Sequence, residues 1–164
     1  MNYIDFDQVI LATEDLLFNE YLEKKAQGIY LDKIKYLEDF DWEWLVFNSE
    51  VIADSINIIK SIPNTKILTK VHSLKEASAK IKFLRANNVE NEIIIVPVGH
   101  KKTDLVPAKN NILIDDSVKN LDDWTNAGGI AYFFNKDNKN IDNWGITNTK
   151  YQKINNLKIL TKKA

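Results

Sequence analysis

The sequence predicts an α/β fold: a parallel sheet with helices on both faces. Three observations lead there. Short apolar runs near residues 3–11, 65–71, 92–98, 111–116 and 130–134 alternate with helical patterns. The run from Glu92 to Val98 is apolar along nearly its whole length, as expected of a strand covered on both sides. Turn formers separate the elements, namely Pro63 with Asn64, Asn87 with Asn88, and Gly128 with Gly129.

The first strand carries Tyr3 to Asp7 and is followed by Val9, Ile10 and Leu11. Thr13 is placed to cap a helix running to about Gln27, where Leu16, Leu17, Glu20, Tyr21 and Lys24 give an amphipathic pattern and Gly28 stops it. A second helix is predicted from Asp32 to Phe40. A third is predicted from about Ser49 to Ile62, with Ile52, Ile56 and Ile59 on one face, and Trp42 and Trp44 lie between the two. Residues 13–62 thus form an all-helical insert after the first strand, between residues 1–12 and 63–164.

The core resumes with a strand from Thr65 to Val71, and Ser73 with Glu76 supplies a capping box for a helix to about Ala86. The strand from Glu92 to Val98 has Pro97 near its end, and Gly99 to Lys102 is a loop. Asn111 to Asp116 is an apolar strand ending in two acids. A helix from Asn120 to Ala127 precedes the fifth strand, Ile130 to Phe134, and the Lys-rich end from Lys158 to Lys163 reads as a soluble tail.

At 164 residues the chain is one domain, able to bury about two thirds of the surface its unfolded form exposes. A net charge of −1 gives no overall basic field, so neither a nucleic-acid polymer nor an anionic membrane is an expected partner. The absence of cysteine excludes disulfides and thiol chemistry and fits a reducing compartment. Asp5 and Asp7 stand where a secretory leader would have a basic flank and an apolar segment, and no apolar run approaches the roughly 20 residues of a membrane helix. A cytoplasmic location is expected.

Ligands of open parallel sheets bind at the carboxyl ends of the strands. Those ends carry Asp5 and Asp7, then Thr69, then Lys102, then Asp115 and Asp116, so six residues are expected to converge. Alternation along the first strand points Asp5 and Asp7 the same way. Several carboxylates facing one point need a cation, and hard oxygen donors without His or Cys suit Mg2+, with Asp5 and Asp116 as side-chain ligands. A lysine and a threonine hydroxyl nearby can hold a phosphate. Together these groups favour phosphoryl transfer: Asp5 attacks to form an aspartyl phosphate, and Asp7 protonates the leaving alkoxide and then activates water.

Taken in order, Asp5-Phe-Asp7, Ile-Leu-Thr69, Lys102-Thr103 and Ile-Asp115-Asp116-Ser117 resemble motifs one to four of the haloacid dehalogenase superfamily. A phosphorelay receiver uses similar residues but carries its acidic pair on the first strand, and here the pair comes last. The segment Asn111-Ile-Leu-Ile-Asp-Asp-Ser-Val-Lys-Asn-Leu-Asp-Asp-Trp-Thr-Asn-Ala-Gly-Gly-Ile-Ala resembles the 5'-nucleotidases that act on deoxyribonucleotides.

The resemblance implies a Rossmann-like three-layer fold with strand order 5-4-1-2-3 and a cap that closes over the substrate. It also implies roles: Asp5 as nucleophile, Asp7 as acid and base with its backbone carbonyl on the metal, and Thr69 and Lys102 as phosphate holders. Asp116 is then the direct metal ligand, with Asp115 orienting metal-bound water. Lys101 rivals Lys102 for its place. Gln8 stands where members often have a small residue, and it is expected to narrow the phosphate pocket.

The implied activity is a magnesium-dependent phosphomonoesterase acting on a nucleoside monophosphate. Phosphatase action on another small phosphorylated metabolite, such as a sugar phosphate, and a non-catalytic phosphate- or protein-binding module are the other readings. Trp42 and Trp44 can stack on a base or glue the cap to the core, and Phe18 and Tyr21 read as packing. Exposed cap aromatics suit a homodimer as well as a substrate. His72 reads as a surface residue beside the capping box, His100 takes no role, and Asp122 and Asp123 read as a solvated helix face.

Overall fold

The computed structural model describes residues 1–29 and 32–163. Residues 30 and 31 of the expected cap and residue 164 of the expected core lie outside the described residues.

Six parallel strands form one sheet in the order β3-β2-β1-β4-β5-β6. They are β1 (Asn2–Ile4), β2 (Thr65–Val71), β3 (Ile93–Pro97), β4 (Ile112–Asp115), β5 (Ile130–Phe134) and β6 (Gln152–Ile154). Read from the other edge, this is the expected 5-4-1-2-3 order with β6 added beyond β5. The three residues of β6 carry only one apolar side chain and sit in an Asn- and Lys-rich stretch, so no strand is visible there in the sequence.

Alternate residues of the central strands point into two separate cores. Ile4, Ile67, Ile114 and Phe134 pack on one face, and Tyr3, Leu68, Leu113 and Phe133 pack on the other. This is what their continuous apolar runs require. Among the described residues, seven α-helices cover the sheet or lead to it: α1 (Thr13–Ala26), α2 (Lys33–Asp39), α3 (Trp42–Asn48), α4 (Ser55–Ser61), α5 (Leu74–Ala86), α6 (Lys102–Leu105) and α7 (Val118–Asn126). α3, α4 and α5 contribute to the first core, and α7 contributes Val118, Leu121 and Trp124 to the second. Gly129 lets α7 lie close, because a Cβ there would stand 2.3 Å from the Trp124 ring.

Several local expectations change. The helix expected over 49–62 forms only over Ser55–Ser61, and a separate helix, α3, takes up the Trp42 and Trp44 segment expected to lie between helices. Asp41 accepts from the Trp44 N–H and starts α3 at Trp42, while Ala53 and Asp54, both with positive φ, break the chain before α4. Thr13 does not cap α1. It is the first helical residue, and its hydroxyl turns to Asp7 instead. The loop expected to end at Lys102 gives way to α6 at that residue.

The Lys-rich end is not a free tail. Residues Leu157–Lys163 form a 3-10 helix whose Leu157 and Leu160 are buried in the first core. Phe18 is 60% exposed and does not pack. Asp122 and Asp123 are ion-paired with Lys150 and Lys101, both at 2.7 Å. No helix among the described residues is long and apolar enough to cross a membrane.

Candidate active site

β1 ends at Ile4, and Asp5 follows while its N–H still bonds to the Ile114 carbonyl at 2.9 Å. The chain then turns through Gln8, whose φ is 58°. Because the strand stops before Asp5, alternation does not carry through to Asp7, and the two acids take different lysine partners.

Asp5 bonds to Lys102, which bridges to Asp115, with both contacts at 2.6 Å. All three residues are buried. Asp115 is fully engaged: Oδ1 accepts from the Ser117 N–H and the Asn120 amide, and Oδ2 from Lys102 and the same amide. Asn120 in turn accepts from Lys70 at 3.0 Å. Asp116 is freer, with the Asn143 amide 3.5 Å from its Oδ2. Of the two rival lysines, Lys102 reaches the acids, and Lys101 is paired with Asp123.

Asp7 belongs to a second assembly. Its Oδ1 accepts from Thr13 at 2.6 Å, and its Oδ2 from Lys80 at 2.6 Å. Lys80 is completely buried on α5. It also reaches Glu76 at 2.7 Å, the Thr69 hydroxyl at 3.1 Å and the Lys70 carbonyl at 3.0 Å. A buried ammonium is tolerated only when paired and hydrogen-bonded, and Lys80 is both.

Asp5, Asp115 and Asp116 each offer a carboxylate oxygen, and these atoms lie within 4.8 Å of one another. Burial pushes the Asp5 carboxyl up to about 7 against the pull of Lys102, with Asp115 and Asp7 adding repulsion. Burial, followed by repulsion from Asp115 and Asp5, drives Asp116 well above the usual carboxylate range. Glu14 rises to about 7 through burial and the charge of Asp7, although Asn143 donates to it at 2.5 Å. Three hard-oxygen donors short of positive charge fit a magnesium ion.

Gln8 does not point at the cluster. Its amide donates to Asp15 at 2.7 Å and accepts from the Glu14 N–H. The cavity beside Asp116, lined by Gln8, Asn135, Lys136 and Asn143 among others, is only about 20 Å³. A larger one of about 480 Å³ lies among α1, α2 and α3, is lined by Tyr36, Phe40 and Trp44 with charged neighbours, and holds none of the clustered acids. Trp42 is buried, donates to the Leu37 carbonyl and stacks on His72, whereas Trp44 is 41% exposed.

No family model matches the sequence, and no curated protein matches it either. Solved structures do. A haloacid dehalogenase-like family hydrolase from Streptococcus pneumoniae superposes with a TM-score of 0.61 at 12% identity, over 99% of this chain and 97% of its own. The HAD-hydrolase YfnB from Bacillus subtilis, solved bound to magnesium, gives 0.59 at 16% identity, over 98% and 96%. The chain has the haloacid dehalogenase-like fold.

On that fold, Asp5, Asp115, Asp116 and Lys102 come together, and Asp7 and Thr69 meet one another through Lys80. The sequence does not single out Lys80, Asn120 or Lys70 as site residues, and it reads Thr13 only as a helix cap. Lys80 carried one signal: it lies on the amphipathic face with Ala77, Ala79, Phe83 and Leu84, where an unpaired lysine would be costly, and Glu76 stands one turn before it.

Proposed function

We propose that the protein is a magnesium-dependent phosphomonoesterase that works through an aspartyl phosphate on Asp5, with 5'-nucleoside monophosphates as its substrate class. One observation carries this reading. Asp5 gives one oxygen to Lys102 and leaves the other without a hydrogen-bond partner among the described residues, next to Asp116 in a cluster short of positive charge.

In this mechanism Asp5 Oδ2 bonds to phosphorus as the ester P–O bond breaks, and the departing alkoxide takes a proton from Asp7. Water then gives a proton to Asp7 and attacks phosphorus. The Oδ2–P bond breaks, inorganic phosphate leaves, and Asp5 is restored. Both oxygens of Asp7 are engaged, so proton delivery requires it to release Thr13 or Lys80.

Thr69 and Lys102 hold the phosphate. Asp5 and Asp116 would hold magnesium through side chains and Asp7 through its carbonyl, while Asp115, held by Lys102, Ser117 and Asn120, would stand beside them to orient the ion's water. Bound magnesium supplies charge that offsets the phosphate oxygens. Residues 13–62 act as the cap on a core of residues 1–12 and 63–164.

The likeness of segment 111–131 to deoxyribonucleotidases supports the nucleotide class, and exposed Trp44 remains available for stacking on a base. A cavity of about 20 Å³ has room for about one water. A nucleotide therefore requires the site to open, and the Lys136–Asp15 pair (2.7 Å) and the Asn143–Glu14 bond are contacts of residues that line this cavity.

The test is phosphate release from a panel of nucleoside monophosphates and sugar phosphates, with magnesium and with chelator. Magnesium-dependent release from nucleotides is expected, and Asp5→Asn should lower it at least about a thousandfold with the fold retained by circular dichroism. Release from sugar phosphates alone would replace the nucleotide assignment with another small metabolite. No release from any ester would leave a binding module.

A further inference from the structure

Three lysines surround the site, and they differ in what they touch. Lys80 and Lys102 each meet two carboxylates. Lys70 makes no ion pair among the described residues, and its one hydrogen bond from Nζ goes to a neutral oxygen, Asn120 Oδ1, at 3.0 Å. The orientation of that amide is fixed by chemistry. Its nitrogen faces both oxygens of Asp115 and its oxygen faces an ammonium, and the reverse would set acceptor against acceptor and donor against donor.

Lys70 is also on the side of the sheet that matters. Along β2 it shares parity with Leu68, which packs with Tyr3 and Leu113, and two residues beyond each of these stand Asp5 and Asp115. Burial, then the neighbouring charge of Lys102, lowers the ammonium below the usual lysine range. It is only partly buried, whereas Lys102 is enclosed between its two acids.

We infer that Lys70 is a substrate-binding residue: its ammonium takes a non-bridging oxygen of the phosphate at Asp5, beside Lys102, which also holds Asp5 and Asp115 in place. A phosphate there gives Lys70 the anionic partner it lacks, and Asn120 keeps the ammonium aimed by linking it to Asp115. The identity of the phosphate's donor rests on the phosphomonoesterase reading above, but the binding role is open to a separate test.

The experiment is calorimetric titration of inorganic phosphate into the protein, with magnesium and again with chelator. Lys70→Met should weaken phosphate binding about tenfold or more, as expected for a lost charge-assisted hydrogen bond, while leaving magnesium affinity unchanged. Lys70→Arg should recover part of the loss. Lys119→Met, which removes an exposed charge one residue from Asn120, should change it by no more than about twofold.

Unchanged affinity in Lys70→Met, an equal loss in Lys119→Met, or no phosphate binding by the native protein would each overturn the inference. The two readings fail separately. A protein that binds phosphate through Lys70 yet releases none from any ester loses the phosphatase assignment alone. A working phosphatase whose Lys70→Met variant keeps its phosphate affinity and its KM loses the Lys70 assignment alone.

Discussion

Two buried lysines sit on opposite faces of one sheet, and their surroundings differ. Lys80 is local in part: Glu76 lies one helical turn away on α5, and the remaining acceptors are Asp7, Thr69 and the Lys70 carbonyl. Lys102 is wholly non-local, since Asp5 is 97 residues away in sequence and Asp115 is 13. The first assembly leaves its acids well compensated, and Glu76 is held below the usual carboxylate range by the charge of Lys80 and bonds from His72, against the opposing effect of burial. The second leaves both Asp5 and Asp116 raised, by burial first and then by repulsion among the acids. One lysine closes its charge network, and the other leaves its carboxylates short of positive charge.

Removing each lysine should separate these roles. Lys102→Met should lower phosphate release about a hundred- to a thousandfold, the range for loss of one preorganised charge stabiliser. Its stability loss should stay small, because Asp5 can take up a proton and Asp115 keeps its bonds to Ser117 and Asn120. Lys80→Met strands Glu76 and Asp7 and should cost about 3–5 kcal/mol, read by urea unfolding. Equal stability losses in the two variants would erase the contrast.

A smaller effect should appear in pH dependence without metal. Asp5 and Glu14 have folded-state values near 7, above their ordinary 3.8 and 4.5. For an acid raised on folding, the folded state binds the proton more tightly, so the penalty is absent below the unfolded value. It grows as pH rises toward 7 and is constant beyond. With chelator, the melting temperature should therefore fall between about pH 4.5 and 7.5. Magnesium should flatten the decline by compensating the cluster, and a flat profile with chelator would show that the acids are already neutralised.

The same contrast explains what could be read from the sequence. The five principal strands and the convergence of Asp5, Lys102, Asp115 and Asp116 are legible in apolar runs ending in polar residues, because such runs have one use in a doubly covered sheet, whereas the strand order is legible only through the family resemblance. The Lys80 assembly did not. A lysine in an amphipathic helix looks like a solvated residue until tertiary packing shows that its turn faces Asp7 and Thr69. Thr13 misled for a related reason, since a threonine before an acidic first turn reads as a cap until a nearby carboxylate competes for its hydroxyl. β6 and the buried C-terminal turn were hidden because their polar neighbours outnumber the few apolar side chains that pack.

Thr13 gives the finest division of the comparison, because it shares Asp7 with Lys80 but contributes a neutral bond. Thr13→Val keeps the shape and removes the hydroxyl, leaving Asp7 Oδ1 to water at a side chain that is 21% exposed. The loss should be about 1 kcal/mol in urea unfolding, since an acceptor open to solvent does not suffer the full penalty of burial. Phosphate release should fall less than tenfold, because Lys80 alone still fixes the carboxylate. If Thr13→Val proved as damaging as Lys80→Met, the hydroxyl and not the ammonium would be what holds Asp7, and Lys80 would serve Glu76 and the packing of α5 instead.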